Sequence, residues 1–125
     1  MDQDAQYLLL HKANQLEEAG KLAPAVRLLR KLAKLGNVHA QANLGNLLDD
    51  KTTPRRPREA MYWYKRAVRK GYATAAYNLA MHHRNQGKPR WQLHWLRVAA
   101  DMGHPDARKE IRPLERQLER ARRRV

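Results

Sequence analysis

Small and large apolar residues follow one another along this chain in a repeating order. The stretch LLRKLAKLG ends at Gly36, WYKRAVRKG at Gly71 and WLRVAADMG at Gly103, so the glycines stand 35 and 32 residues apart. After each glycine an alanine and then an aliphatic residue recur four positions apart, Ala40 with Leu44, Ala75 with Leu79, and Ala107 with Ile111. Residues four apart share one face of a helix. A period in the thirties marks stacked helical hairpins, because one hairpin cannot bury its own apolar face. The pattern predicts helices over 3–19, 22–35, 38–50, 57–70, 73–86, 89–102 and 105–123. They pair as hairpins over about 3–35, 38–70 and 73–102, followed by a capping helix over 105–123.

Each recurring position has a physical task. The alanines let neighbouring helices approach closely. Trp63, Tyr64 and Trp95 fill the space beside them on the second helix of a hairpin, and Trp91, one turn before Trp95, should be half buried. Gly36, Gly71 and Gly103 end helices, since glycine takes the left-handed conformation without a Cβ clash. Pro57, Pro89 and Pro105 stand where first-turn residues belong. Pro113 should kink or restart the last helix. From there Leu114, Leu118, Ala121 and Val125 form one narrow apolar stripe on an otherwise charged segment, as in a terminal cap. The fold class is therefore all-α, a right-handed α-solenoid of about three helix–turn–helix repeats plus a C-terminal capping helix, with residues 1–125 as a single repeat domain.

These residues resemble the Sel-one-like repeat family, a branch of the tetratricopeptide-like helical solenoids. AQANLG (Ala40 to Gly45) and AAYNLA (Ala75 to Ala80) match the family's first helix, and EAMYWYKRAVRKG (Glu59 to Gly71) its second. The likeness covers about residues 1–111 and is sharpest from 36 to 104. It departs at DDKTTPRRPR, which replaces a glycine-rich loop, and at the two ends, where Leu28-Leu29 and Trp95-Leu96 replace the Trp-Tyr pair. Related solenoids bind peptides or partner domains on the face lined by the first helices, with asparagine at the Asn43 and Asn78 positions contacting the ligand.

Composition narrows the chemistry. Neither cysteine nor serine occurs, which removes disulfides, thiolate ligands and the two commonest nucleophiles. The six histidines form no pair four apart, and the adjacent His82 and His83 should point to different sides of their helix. The sequence offers no metal site, no cofactor motif and no catalytic set. Its acidic start and short apolar runs are unlike a signal peptide or a membrane span, so a cytoplasmic location and no membrane or small-molecule partner are expected.

Charge changes the picture more. The chain carries a formal net charge of +14. Residues 1–50 hold six Lys/Arg and six Asp/Glu, while residues 51–125 hold twenty against six, so the whole excess lies in the second part. Such a field attracts acidic partners.

Two candidate surfaces emerge. A polar, nearly neutral groove is formed on the first helices by Tyr7 and His11, by His39, Asn43 and Asn46 with Asp50, and by Thr74, Tyr77, Asn78, Met81 and Arg84. Amide side chains both donate and accept, which suits an extended peptide backbone; a merely solvated stripe is the alternative. The basic surface comprises Arg55, Arg56 and Arg58 in a hairpin turn and Arg112, Arg116 and Arg120 on the cap. Arginine's planar fork favours carboxylate or phosphate. The expected function is a non-catalytic protein-interaction adaptor for a protein or peptide, acidic in character, with a bacterial immunity or regulatory protein as one role that fits. The alternative is a nucleic-acid binder through phosphate contacts, although no groove-reading motif accompanies the arginines.

Overall fold

A computed structural model describes residues 1–49 and 55–124. Asp50, the turn residues 51–54 and Val125 lie outside the described residues. Seven helices are described and no strand: α1 (Gln3–Glu18), α2 (Leu22–Lys34), α3 (Val38–Asp49), α4 (Pro57–Arg69), α5 (Ala73–Asn85), α6 (Pro89–Asp101) and α7 (Pro105–Arg123). The helices α1, α2, α4, α5 and α6 stop one residue short of the sequence reading, because the residue counted last is the cap, and the end expected for α3 at Asp50 lies outside the described residues. Leu35 and Met102, for example, bond back to the preceding turn and are followed by a glycine at φ 95°. At Gly36 the amide bonds to the Ala33 carbonyl and the Asn37 amide to the Leu32 carbonyl, which satisfies two carbonyls the helix end would leave open. Pro57, Pro89 and Pro105 open α4, α6 and α7, where a missing N–H costs nothing.

The chain falls into two compact units, Met1–Lys70 and Gly71–Val125. In the first unit α1 packs on α2, α2 on α3 and α3 on α4. Its core is built from alternating small and large residues: Ala13, Ala25, Ala33, Ala40, Ala60 and Ala67 are fully buried beside Leu29, Leu32 and Leu44, with Trp63 and Tyr64 nearly so. One contact sets the approach of α3 and α4. A Cβ placed on Gly45 would meet the Tyr64 ring at 2.5–2.9 Å, closer than two carbons can sit. Only glycine lets the ring lie flat there. The equivalent pair in the next hairpin is Ala80 and Leu96, both fully buried. A larger helix-side residue thus faces a smaller partner.

Polar side chains tie the hairpins together at the repeat spacing. Arg30 on α2 grips the Glu59 carboxylate on α4 with two bonds of 3.0 and 3.1 Å, and the Trp63 indole N–H donates to the same carboxylate at 3.1 Å. The Arg30 hydrogen bonds hold the Glu59 carboxyl below its ordinary value, against the opposing effect of partial burial. Lys70 donates to the Gly36 carbonyl at 2.7 Å, and Asn37 donates to Gln6 at 3.2 Å.

In the second unit α5 packs on α6 and α6 on α7. Leu79, Leu96, Ala75, Ala76, Ala80, Ala99 and Ala107 form its centre. Three expectations change here. Trp95 is only half buried, and Leu96 next to it takes the core position. Trp91 is exposed rather than half buried, at 56%. His82 and His83 do not diverge: both are buried, with ring centroids 5.2 Å apart edge to face. The packed face of α5 is broad enough to cover two adjacent positions. Pro113 lies inside α7 and the helix is not restarted. Leu114, the next residue, is buried and holds the following turn in place.

Two expectations on stability follow from this packing. Trp63→Ala removes a buried indole and should cost about 3–5 kcal/mol in urea denaturation. A melting point within a degree or two of the parent would contradict the packing. Gly45→Ala alone should destabilise by about 1–3 kcal/mol through overpacking. Adding Tyr64→Leu, which recreates the Ala80–Leu96 pairing, should restore part of that loss. A double variant no more stable than Gly45→Ala would show that the ring is not what excludes the methyl.

Candidate functional site

The residues singled out on the first helices are divided between the two units. In the first unit, Tyr7 and His11 are exposed on α1, His39 and Asn46 are exposed on α3, and Asn43 is half buried. Tyr7, 69% exposed, and His39 open on one cleft of about 630 Å³ whose apolar wall is Leu10, Leu35 and Val38. The floor of this cleft is fixed by Asn37, whose carboxamide oxygen accepts from the Ala40 amide at 2.9 Å and caps α3. Its NH₂ group meets Gln6. His11, one turn along α1 from Tyr7, is not part of the cleft wall. Asn46 is committed to its own hairpin: the Tyr64 hydroxyl donates to its oxygen at 2.7 Å. Burial pushes the Tyr64 phenol well above its ordinary pKa, with the nearby Asp49 charge adding to the shift.

In the second unit, Thr74, Asn78 and Met81 lie half buried on α5 and Arg84 is exposed near its end. Tyr77 is tied down. Its ring stacks on His104 with centroids 4.4 Å apart and planes 4° from parallel, and its hydroxyl donates to the Glu110 carboxylate of α7. The hydrogen bond to Glu110, followed by desolvation, raises the Tyr77 pKa to about 12. His104 also accepts the Ala107 amide at its Nδ1 and so caps α7. Neither His104 nor Glu110 stood out in the sequence. The signal was present: Glu110 follows Tyr77 by 33 residues, close to one period.

The basic surface is arranged by helix spacing. Arg55, Arg56 and Arg58 are exposed at the start of α4, and Arg55 approaches Asp49 at 3.9 Å. Arg112, Arg116 and Arg120 lie four apart, exposed on one face of α7. The carboxylates nearest in sequence are taken by other arginines: Arg97 holds Glu115 at 2.8 Å, and Arg123 holds Glu119 at 2.7 Å. No ion pair engages Arg112, Arg116 or Arg120 among the described residues. Those residues also place no group of three or more His, Cys, Asp or Glu so as to hold a metal, and none of their helices is long and apolar enough to cross a membrane.

Helical hairpins closed by left-handed glycines and packed through small residues define a helical-repeat protein of the tetratricopeptide-like class. Residues 24–37, 38–72, 73–90 and 93–104 match the Sel1 repeat, more than half of the chain, and the chain belongs to that family. Sel1 repeats are in general non-catalytic scaffolds for protein interaction. An F-box protein of Arabidopsis thaliana is 40% identical over 68 residues, which are 53% of this chain and 19% of that protein. The chain thus spans about a fifth of that relative's length. The type III secretion translocator chaperone SycD of Yersinia enterocolitica shares the fold, with a TM-score of 0.72 at 14% identity over 100% of this chain and 90% of that one.

The tie between Tyr77 and Glu110 has a pH signature. The phenol's pKa rises from 10.0 unfolded to about 12 folded, so its contribution is complete below pH 10 and is lost as pH climbs towards 12. Stability should therefore fall more steeply over that window in the parent than in Tyr77→Phe, measured by denaturation at each pH. Tyrosinate absorbance should titrate earlier in Glu110→Gln. Identical titrations would mean that the hydroxyl does not donate to Glu110 in solution.

Proposed function

We propose that the chain is an adaptor for an acidic protein partner, with encounter driven by its arginines and discrimination by the polar faces of its first helices. The observation that carries this reading is the row Arg112, Arg116 and Arg120, exposed and without a carboxylate partner while Glu115 and Glu119 are held by Arg97 and Arg123. A row of forks spaced one turn apart fits a succession of carboxylates. Arg56 and Arg58 add exposed positive charge at the start of α4. Asn43 and Asn78, each half buried on a first helix, support the second half of the reading: an amide in a partly enclosed setting gains only from a matched partner. The structural neighbour is a translocator chaperone, which is consistent with this fold holding another polypeptide.

The test is capture from a nuclease-treated lysate followed by kinetics on the captured partner. Reversing Arg112, Arg116 and Arg120 to Glu should slow association at low salt and matter little at high salt, because exposed charges are screened within about 8 Å at physiological ionic strength. Asn43→Ala with Asn78→Ala should instead raise the dissociation rate at every salt. Capture that disappears on nuclease treatment, with a steep log–log dependence on salt, would replace this reading with phosphate binding.

A further inference from the structure

A second cleft lies wholly within Gly71–Val125, where the α5–α6 turn and the start of α6 face α7, and its volume is about 640 Å³. We propose that this cleft binds a peptide segment in which one apolar side chain is flanked by carboxylates. The proposal rests on the acidic-partner reading and gives it a place and a sequence class.

The first observation is the mix of its walls. Pro113, Leu114 and Leu118 of α7, with Pro89 of α6, supply apolar surface. The α7 stripe progressively loses its cover: Leu114 is buried, Leu118 half buried and Ala121 exposed. An apolar side chain entering here would complete the burial that α6 begins.

The second observation is charge. Arg84, Lys88 and Lys109 stand exposed at the rim, and no ion pair engages them among the described residues. The one carboxylate in the wall, Glu110, is already accepting from the Tyr77 hydroxyl. The rim is therefore cationic with its acid engaged, and complements carboxylates on both sides of an apolar anchor. The neighbouring cleft on the other side of α7 makes a useful contrast. It too is lined by arginines, but two of its four, Arg97 and Arg123, are already paired within it with Glu115 and Glu119.

The third observation separates a peptide from a phosphate ligand. The wall between the cationic side chains is apolar, formed by Pro89, Pro113, Leu114 and Leu118. It accepts an apolar side chain of a peptide and offers a phosphate diester no polar contact.

The experiment selects displayed random peptides on the full chain and counter-screens them on two variants at exposed positions: Lys88→Glu with Lys109→Glu, which reverses the rim, and Ala121→Trp, which fills the cleft. The selected sequences should carry one Leu, Ile, Phe or Trp with Asp or Glu on both sides. As synthetic peptides followed by fluorescence anisotropy, they should bind the parent and lose about tenfold or more, a change of about 1.4 kcal/mol, on either variant. Thermal melting confirms that each variant is folded, and methyl chemical shifts of Leu118 and Leu114 should move on titrating the parent. Acidic peptides that ignore both variants, leave those methyls unmoved and are lost on reversing Arg112, Arg116 and Arg120 would overturn the cleft while leaving the acidic-partner reading in place. Selection of sequences without acidic residues, or of none at all, would overturn both.

Discussion

The fold depends on how closely its helices approach, and that distance is set where a small residue faces a large one. Gly45 against the Tyr64 ring is the tightest case, since a single added carbon would overlap the ring. Around it the buried alanines play the same part with more tolerance. Because α3 comes so near α4, the Tyr64 hydroxyl emerges within reach of Asn46. A looser contact would leave this buried donor without its acceptor, at a cost of about 1–3 kcal/mol. Steric fit therefore comes first and the polar ties depend on it.

Those ties recur at the period of the chain. Gln6 with Asn37, Arg30 with Glu59, Gly36 with Lys70 and Tyr77 with Glu110 are separated by 29 to 34 residues. Each joins an element to its counterpart in the adjacent repeat, across a gap that the apolar core leaves near the surface. Several are partly exposed, so as isolated pairs they add little to stability. Their geometric effect is larger. A bidentate grip such as Arg30 on Glu59 fixes both direction and distance between α2 and α4. Tyr77 illustrates the consequence for binding: a tyrosine that reads as a free groove residue is instead stacked on His104 and bonded to Glu110, so it shapes the surface of the second unit from within.

Charge is distributed by a different logic. Glu115 and Glu119 of the last helix are held by Arg97 on α6 and Arg123 on α7 itself, and Arg112, Arg116 and Arg120 are left as a row. Composition alone records only an excess; which arginines are unpartnered depends on which pairs the packing brings within reach. The same holds for the cleft beside α7, where packing sets exposed cationic side chains next to an apolar wall.

The sequence by itself determined the helices, their described boundaries to within a residue, and the caps at Gly36 and Gly103. These are local properties: the spacing of apolar residues, the freedom of glycine and the missing N–H of proline act over a few positions and are written there. It also marked Trp63 and Tyr64 as buried, because their neighbours repeat. Only the tertiary structure decided that Trp91 is exposed, that Leu96 rather than Trp95 fills the core of the third hairpin, that His82 and His83 are buried together, and that Tyr77 is bound by Glu110. Each of these depends on how much of a helix its neighbours cover and which side chain lies opposite. Those are properties of two elements at once, which the pattern along one of them does not contain.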